Sequence, residues 1–171
     1  MARIRLVVVE DDRDNLEVFS ILLGERYAVF GYTSAAEALR AIDAAKPDVL
    51  LLDIGMHPVD GVQCLKTIRA TPAYRDIPAV ALTGFARDVE RQRFLDGGFQ
   101  AVVVKPVLDH GKLTDLIDGL ANSRAAASRR SHGTGAGAQP QGLHQPHLDG
   151  GAAMTSSRPG GFGETEGHGP A

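Results

Sequence analysis

Apolar residues along the first 121 positions follow two alternating patterns. Short runs such as residues 49–52 are apolar at every position, which is typical of a strand buried on both faces. Between these runs, apolar residues recur every three or four positions, as on a helix that packs with one side. Five strand patterns alternate with five helix patterns. This order predicts an α/β fold, a (βα)5 doubly wound parallel sheet with helices on both faces.

Turn and capping residues set the expected boundaries of these elements. Ser34 with Glu37 is a capping-box signature for a helix that Pro47 must stop. The predicted strands are residues 4–9, 27–32, 49–52, 77–83 and 101–104. The other predicted helices are residues 14–23, 62–69, 87–96 and 108–121.

The last quarter of the chain has a different composition. Residues 125–171 contain 11 glycines and 4 prolines in 47 positions, with few and scattered large apolar side chains. Such a segment buries too little apolar surface to offset the entropy of ordering it. We therefore expect a folded domain at residues 3–121 and a disordered tail at 125–171, with no output domain.

Amino-acid composition limits the expected partners and cellular location of the protein. The chain is 43% hydrophobic and 23% charged, and its formal net charge of −3 favours neither nucleic acid nor a membrane surface as a partner. The single cysteine, Cys64, excludes a disulfide within the monomer and fits a cytoplasmic location. No apolar run approaches the length of a membrane span.

Polar residues follow four of the five predicted strands. Glu10 and Asp11 follow the first strand, Asp53 the third, Thr83 ends the fourth and Lys105 follows the fifth. Because the carboxyl ends of parallel strands share one edge, we expect these side chains to converge there. Clustered carboxylates repel one another, and a bound Mg²⁺ would relieve that repulsion. Each residue also has a plain structural role as a cap, a packing group or a turn, but the set together describes a carboxylate that accepts a phosphoryl group.

The motifs that hold these residues carry a family resemblance. VVVEDD, DIGMHPVDG, LTG and VKP, taken in this order, resemble the receiver domain of two-component response regulators, the CheY-like family. The resemblance extends from about Arg3 to Ala121. It implies a flavodoxin-like fold with strand order 2-1-3-4-5.

The resemblance also assigns roles to individual residues. Asp53 would be the phospho-acceptor, and Thr83 and Lys105 would contact the phosphoryl oxygens. Asp12 aligns just outside the acidic pair. The Mg²⁺ ligands would be Glu10, Asp11, Asp53 and the backbone carbonyl of Gly55.

Three features bear on how such a domain would work. His57 stands where the family usually has proline, and Val102 replaces an aromatic residue that reports phosphorylation in many receivers. Gly55 and Phe85, which would flank the phosphoryl group, offer no polar side chain to orient an attacking water, so slow self-dephosphorylation is expected. Lys105 fills no apolar space, so its removal is expected to change stability little.

The function predicted from the sequence is a phosphorylation-controlled binding module, not an enzyme. Its phosphoryl group would come from a histidine kinase or a histidine phosphotransfer protein, and an unknown downstream protein would receive the signal. One alternative is a Mg²⁺-dependent phosphatase with Asp53 as nucleophile, although Gly55 stands where that chemistry normally places a second acid. Another is a receiver fragment of a hybrid histidine kinase.

Overall fold

Strands and helices alternate along the computed structural model, which describes residues 3–85 and 87–132. The strands are β1 (Arg5–Val9), β2 (Ala28–Tyr32), β3 (Val49–Asp53), β4 (Ala79–Thr83) and β5 (Ala101–Val104). The helices are α1 (Arg13–Gly24), α2 (Ala35–Ala45), α3 (Gly61–Ala70), α4 (Asp88–Asp96) and α5 (His110–His132). A single 3-10 turn, Pro72–Tyr74, precedes β4.

The five strands form one parallel sheet in the order β2-β1-β3-β4-β5. This confirms the predicted fold class and strand order. In the register of the sheet, Val9 lies beside Leu52 and Asp53 beside Leu82. Thr83 lies beside Val104. The carboxyl ends of β1, β3, β4 and β5 are therefore level with one another.

Each face of the sheet is covered by its own core. The α2–α4 core lies under α2, α3 and α4, and its buried residues include Ala38, Ile42, Leu50, Leu52, Leu65 and Ala81. The α1/α5 core lies under α1 and α5, and its buried residues include Leu6, Val8, Phe19, Leu51, Leu113 and Ile117. Every residue of β3 and β4 is buried, which explains why those strands are apolar at every position before the polar residues that end them, Asp53 and Thr83.

Polar side chains fix where several helices begin. Asp12 accepts a hydrogen bond from the Asn15 N–H at the start of α1, at 2.9 Å. The Ser34 hydroxyl accepts one from the Glu37 N–H at the start of α2, at 3.2 Å, as the capping signature predicted. The role of Asp12 is thus that of a helix cap.

The last helix is longer than the sequence predicted. The composition of residues 125–171 as a whole placed the start of a disordered tail at 125, but α5 continues to His132. Ala125–Ala127 favour helix, and the first glycine after Gly119 is Gly133. Arg124 also donates a hydrogen bond to the Pro47 carbonyl across the chain. The rest of the predicted tail, residues 133–171, lies outside the described residues.

Four strand boundaries differ as well. Strands were predicted to begin at Ile4, Tyr27 and Ile77 and begin instead at Arg5, Ala28 and Ala79. The third strand was predicted to end at Leu52 and ends instead at Asp53. Tyr27 is buried, and its hydroxyl donates to Asp118 at 2.9 Å, so it packs on α5 rather than pairing in the sheet. Among the described residues, no helix is long and apolar enough to cross a membrane.

Candidate functional site

The carboxyl edge of the sheet brings the acidic residues together. Glu10 follows β1, Asp53 ends β3, and both residues are almost wholly buried, at 0% and 4% exposure. Asp11 is exposed beside them. One carboxylate oxygen from each of the three residues lies within 4.8 Å of the other two. The predicted acidic cluster is therefore present.

The cluster has the donor chemistry of a hard divalent cation. Three carboxylates offer oxygen ligands only, two of them shielded and one open to solvent, so a cation could keep several waters. Burial raises the pKa of the Glu10 carboxyl, and the nearby Asp53 carboxylate raises it further, although Lys105 acts in the opposite direction. A bound cation would relieve this penalty, so the residues present fit Mg²⁺.

Lys105 supplies the positive charge that balances the cluster. Its ammonium lies 2.9 and 3.1 Å from the two Glu10 oxygens and 3.1 Å from Asp53 Oδ2. Burial alone would lower the pKa of this ammonium, but the two carboxylates outweigh burial and raise it. The backbone N–H of Lys105 donates to the Thr83 carbonyl at 2.7 Å, which continues the sheet ladder past the end of β5. The side chain is therefore held over both acids.

Two glycines lie against Asp53, Gly55 in the loop after β3 and Gly61 at the start of α3. The Gly55 N–H donates to Asp53 Oδ1 at 3.0 Å. A Cβ on Gly55 would lie 3.6 and 3.8 Å from the two carboxylate oxygens, so the space beside the carboxylate is open. A Cβ on Gly61 would meet the Asp53 carbonyl oxygen at 2.5 Å, which no side chain tolerates without a shift. His57 in this loop is exposed.

Thr83 is at the same edge but has different hydrogen-bond partners. Its hydroxyl donates to the Phe85 carbonyl at 2.7 Å and lies 3.3 Å from the Phe85 N–H, which donates to it. Among the described residues, no hydrogen bond joins the Thr83 hydroxyl to the side chain of Asp53 or Lys105. To make the predicted contact with a phosphoryl group, the Thr83 hydroxyl would have to change its hydrogen-bond partner.

Sequence reasoning overlooked Asn15 at this site. Its side-chain amide donates to Glu10 Oε1 at 3.5 Å. Asn15 lies five positions after Glu10, in the first turn of the predicted α1, and that spacing was the available signal. The amide adds a weak second partner for a carboxylate that is bound mainly by Lys105.

Comparison with known proteins decides the family. The family model described as the response regulator receiver domain matches residues 6–118. The chain belongs to the response regulator receiver family. The resemblance found in the sequence motifs is confirmed, and the chain contains the receiver domain of a two-component response regulator.

Individual relatives of this receiver domain agree. The polar-differentiation response regulator DivK of Brucella ovis is 31% identical over 103 residues, which cover 60% of this chain and 84% of DivK. The N-terminal domain of a response regulator receiver protein from Methanoculleus marisnigri JR1 is 33% identical, with a TM-score of 0.55, and the match covers 67% of this chain and 93% of that one. Chemotaxis protein CheY4 of Vibrio cholerae shares the fold, with a TM-score of 0.65 at 23% identity over 70% of this chain and 99% of CheY4.

Proposed function

We propose that this receiver domain accepts a phosphoryl group on Asp53 and signals by binding a partner according to its phosphorylation state. The observation that carries the proposal is a nearly buried carboxylate at a strand end, with one oxygen 3.1 Å from the Lys105 ammonium and two further carboxylates around it. Membership of the receiver family supports the same chemistry.

In the proposed reaction, an Asp53 oxygen attacks the phosphorus of a phosphohistidine donor. A P–O bond forms to Asp53, the P–N bond breaks, and the donor imidazole leaves with the bonding electron pair and takes a proton from solvent. Lys105, whose ammonium lies 3.1 Å from Asp53, would neutralise phosphoryl oxygens as charge develops on them. Glu10, Asp11, Asp53 and the Gly55 carbonyl would hold Mg²⁺, and the ion would supply positive charge at the phosphoryl group.

The proposed donor is a histidine kinase or a histidine phosphotransfer protein, and the proposed output is contact with a downstream protein. The relative from Brucella ovis is named a polar-differentiation response regulator. That name supports a regulatory role for this chain without identifying its target.

Intact mass spectrometry tests the proposal directly. Incubation with acetyl phosphate and Mg²⁺ should add the mass of one phosphoryl group to the wild type and nothing to Asp53→Asn. Chelation of the metal should suppress the addition. No added mass on the wild type, or equal addition to Asp53→Asn, would refute the assignment of Asp53. Sustained release of inorganic phosphate from a phosphomonoester would instead support the phosphatase alternative.

The metal assignment has a matched pair of variants. Asp11→Ala removes an exposed member of the acidic cluster, and Asp12→Ala removes its neighbour, whose carboxylate caps α1. We expect Asp11→Ala to abolish Mg²⁺-dependent phosphorylation and Asp12→Ala to retain it while losing some stability. Equal phosphorylation of the two variants would show that Asp11 does not bind the metal.

A further inference from the structure

A cleft of about 290 Å³ lies at the edge of the sheet opposite to Asp53, where the strands begin. One wall is the loop of residues 46–48 between α2 and β3, and the other is the face of α5 from Ala121 to Ser128. Tyr74 completes the lining. The family model ends at residue 118, so the wall that α5 forms lies outside the part of the chain that matches the receiver domain.

Arg124 brings a half-buried guanidinium to this cleft. It donates one hydrogen bond to the Pro47 carbonyl. Within residues 3–85 and 87–132, no ion pair includes Arg124. A guanidinium has five N–H donors arranged in a planar fork, and half-buried charges are normally paired. Arg124 can therefore bind an anion in the cleft while it keeps its bond to Pro47.

Lys46 supplies a second cation from an unfavourable backbone conformation. It follows α2 with φ 43° and ψ 59°, and it is the one residue other than glycine with positive φ in the described part of the chain. Glycine or asparagine usually occupies this left-handed position at the end of a helix. A lysine charge there favours the helix dipole, but that does not explain a side chain in this conformation, since the charge could stand one residue away. The strain points to a role for the Lys46 side chain in the cleft.

The charges of the lining favour a dianion. Two cations, Lys46 and Arg124, face one carboxylate, Asp48, whose Oδ2 already accepts a hydrogen bond from the Arg5 N–H at 2.8 Å. A phosphate monoester carries both negative charges on one group, since its second pKa is about 6, and its oxygens fit the guanidinium fork. A hydroxyl on the same ligand could donate to Asp48. The cleft is at the lower limit of small-molecule sites, which begin at about 300 Å³, so it favours a small ligand.

We propose that the cleft between α5 and the loop before β3 binds a small hydroxylated phosphate monoester, held by the Arg124 guanidinium and the Lys46 ammonium. This site is separate from the acidic cluster, because the two lie at opposite ends of β3, and its occupancy does not depend on phosphorylation of Asp53. The protein would thus carry a second anion site.

Titration of the full chain with glycerol phosphate, followed by amide chemical shifts at constant ionic strength and without divalent metal, tests the proposal. We expect saturable shifts at Asp48, Ala125 and Ser128 and none at Gly55 beside Asp53. Inorganic phosphate should produce the same pattern with lower affinity, because it lacks the carbon-bound hydroxyls. Succinate, a dianion whose charges lie on separate groups, should bind more weakly than either. Equal affinity for succinate would overturn the assignment to phosphate, and absence of saturable shifts in the cleft would overturn the site.

Two variants separate ligand contacts from fold stability. Lys46→Gly should bind glycerol phosphate roughly tenfold more weakly, since it loses a charged contact, while its melting midpoint should equal or exceed that of the wild type, because glycine suits the left-handed backbone. Arg124→Lys keeps the charge but loses the fork and should also bind roughly tenfold more weakly.

Lys66→Ala is the matched control, because it removes an exposed cation of α3 outside the cleft, and it should bind like the wild type. Unchanged affinity in both Lys46→Gly and Arg124→Lys would overturn the proposal. A lower melting midpoint of Lys46→Gly would overturn the argument that the lysine is held there against the preference of the backbone.

Discussion

Replacing Lys105 with methionine should reveal how much of the stability depends on the charge balance of the site. Methionine keeps an unbranched chain of similar length and removes only the ammonium. The Glu10 and Asp53 side chains that the Lys105 ammonium contacts are only 1% and 6% exposed. Without the ammonium, both buried carboxylates would lose their main counter-charge. Removing one partner of a buried ion pair typically costs about 3–5 kcal/mol. Because the Lys105 side chain is itself 18% exposed, we expect the lower end of that range, about 3 kcal/mol near pH 8.

The pKa of Glu10 determines whether the stability of Lys105→Met rises or falls with pH. Its pKa is already raised by burial, and Lys105 counteracts that rise. Without Lys105 the pKa of Glu10 rises further, so the folded variant binds a proton at a pH where the unfolded chain does not. Stability of the variant then increases as the pH falls through that window. The deficit relative to the wild type should therefore be largest near pH 8 and should shrink toward about pH 5.

Urea unfolding followed by circular dichroism, without divalent metal, measures both effects. For a folded domain of this size, the expected loss in free energy of unfolding would also lower the midpoint of thermal melting by roughly 10 °C. Lys112→Met is the matched control, because Lys112 pairs with Asp109 at 3.0 Å on the surface, where the side chains are 86% and 53% exposed. That control should unfold like the wild type.

Two results would refute this reasoning. One is a Lys105→Met variant as stable as the wild type near pH 8. The sequence alone predicted that result, because Lys105 fills no apolar space. The other is a deficit that does not change with pH. Adding Glu10→Gln to Lys105→Met should recover much of the lost stability, since it removes one of the two uncompensated acids.

Three further changes test the loop after β3, the start of α3 and the end of α5. Gly61→Ala should destabilise the fold by about 1–3 kcal/mol in thermal melts, because its Cβ would meet the Asp53 carbonyl oxygen at 2.5 Å, whereas Gly119→Ala on α5 meets nothing within 4 Å and should stabilise slightly. Gly55→Asn should shorten the lifetime of the acyl phosphate after donor removal, since its side chain would begin 3.6 Å from the carboxylate, and an unchanged decay would show that water access is controlled elsewhere. Truncation after Arg124 keeps the bond to Pro47 and removes residues 125–130, which are exposed or half-buried, so the melting midpoint should hardly move. A fall of several degrees would show that the removed segment packs on the domain.

The fold was readable from the sequence because each element has a local cause. Unbroken apolar runs gave the strands, three-to-four periodicity gave the helices, and Ser34 capped α2 as its motif indicated. The end of α5 was misplaced because composition was averaged over residues 125–171. That average hid a helix-favouring stretch, 125–130, ahead of the first glycine of the segment at Gly133. The contact between Arg124 and Pro47, 77 positions apart in sequence, left no local pattern to read.

The acidic cluster was also readable, because parallel strands end at one edge whatever the details of their packing. Glu10, Asp11 and Asp53 converge as predicted, and Lys105 lies within hydrogen-bond distance of two of them. What the sequence did not provide was the burial of the two carboxylates that Lys105 contacts. The stability loss expected for Lys105→Met depends on that burial, which is a property of the assembled edge rather than of any motif.

Thr83 lies at the same edge of the sheet as the charged residues but not on the same face. Convergence at one edge does not place side chains on one face, since neighbours in a strand alternate between faces. Residues two and four positions before Asp53 pack in the α1/α5 core, as do those two and four positions before Glu10 and Lys105. Residues two and four positions before Thr83, Ala81 and Ala79, pack in the opposite core. Thr83 therefore lies on the alternate side from the acids and lysine, where its hydroxyl bonds to Phe85, and reaching a phosphoryl group requires it to leave that partner. The same alternation was present in the sequence, so the separation of Thr83 from the charged residues could have been predicted by counting back along each strand.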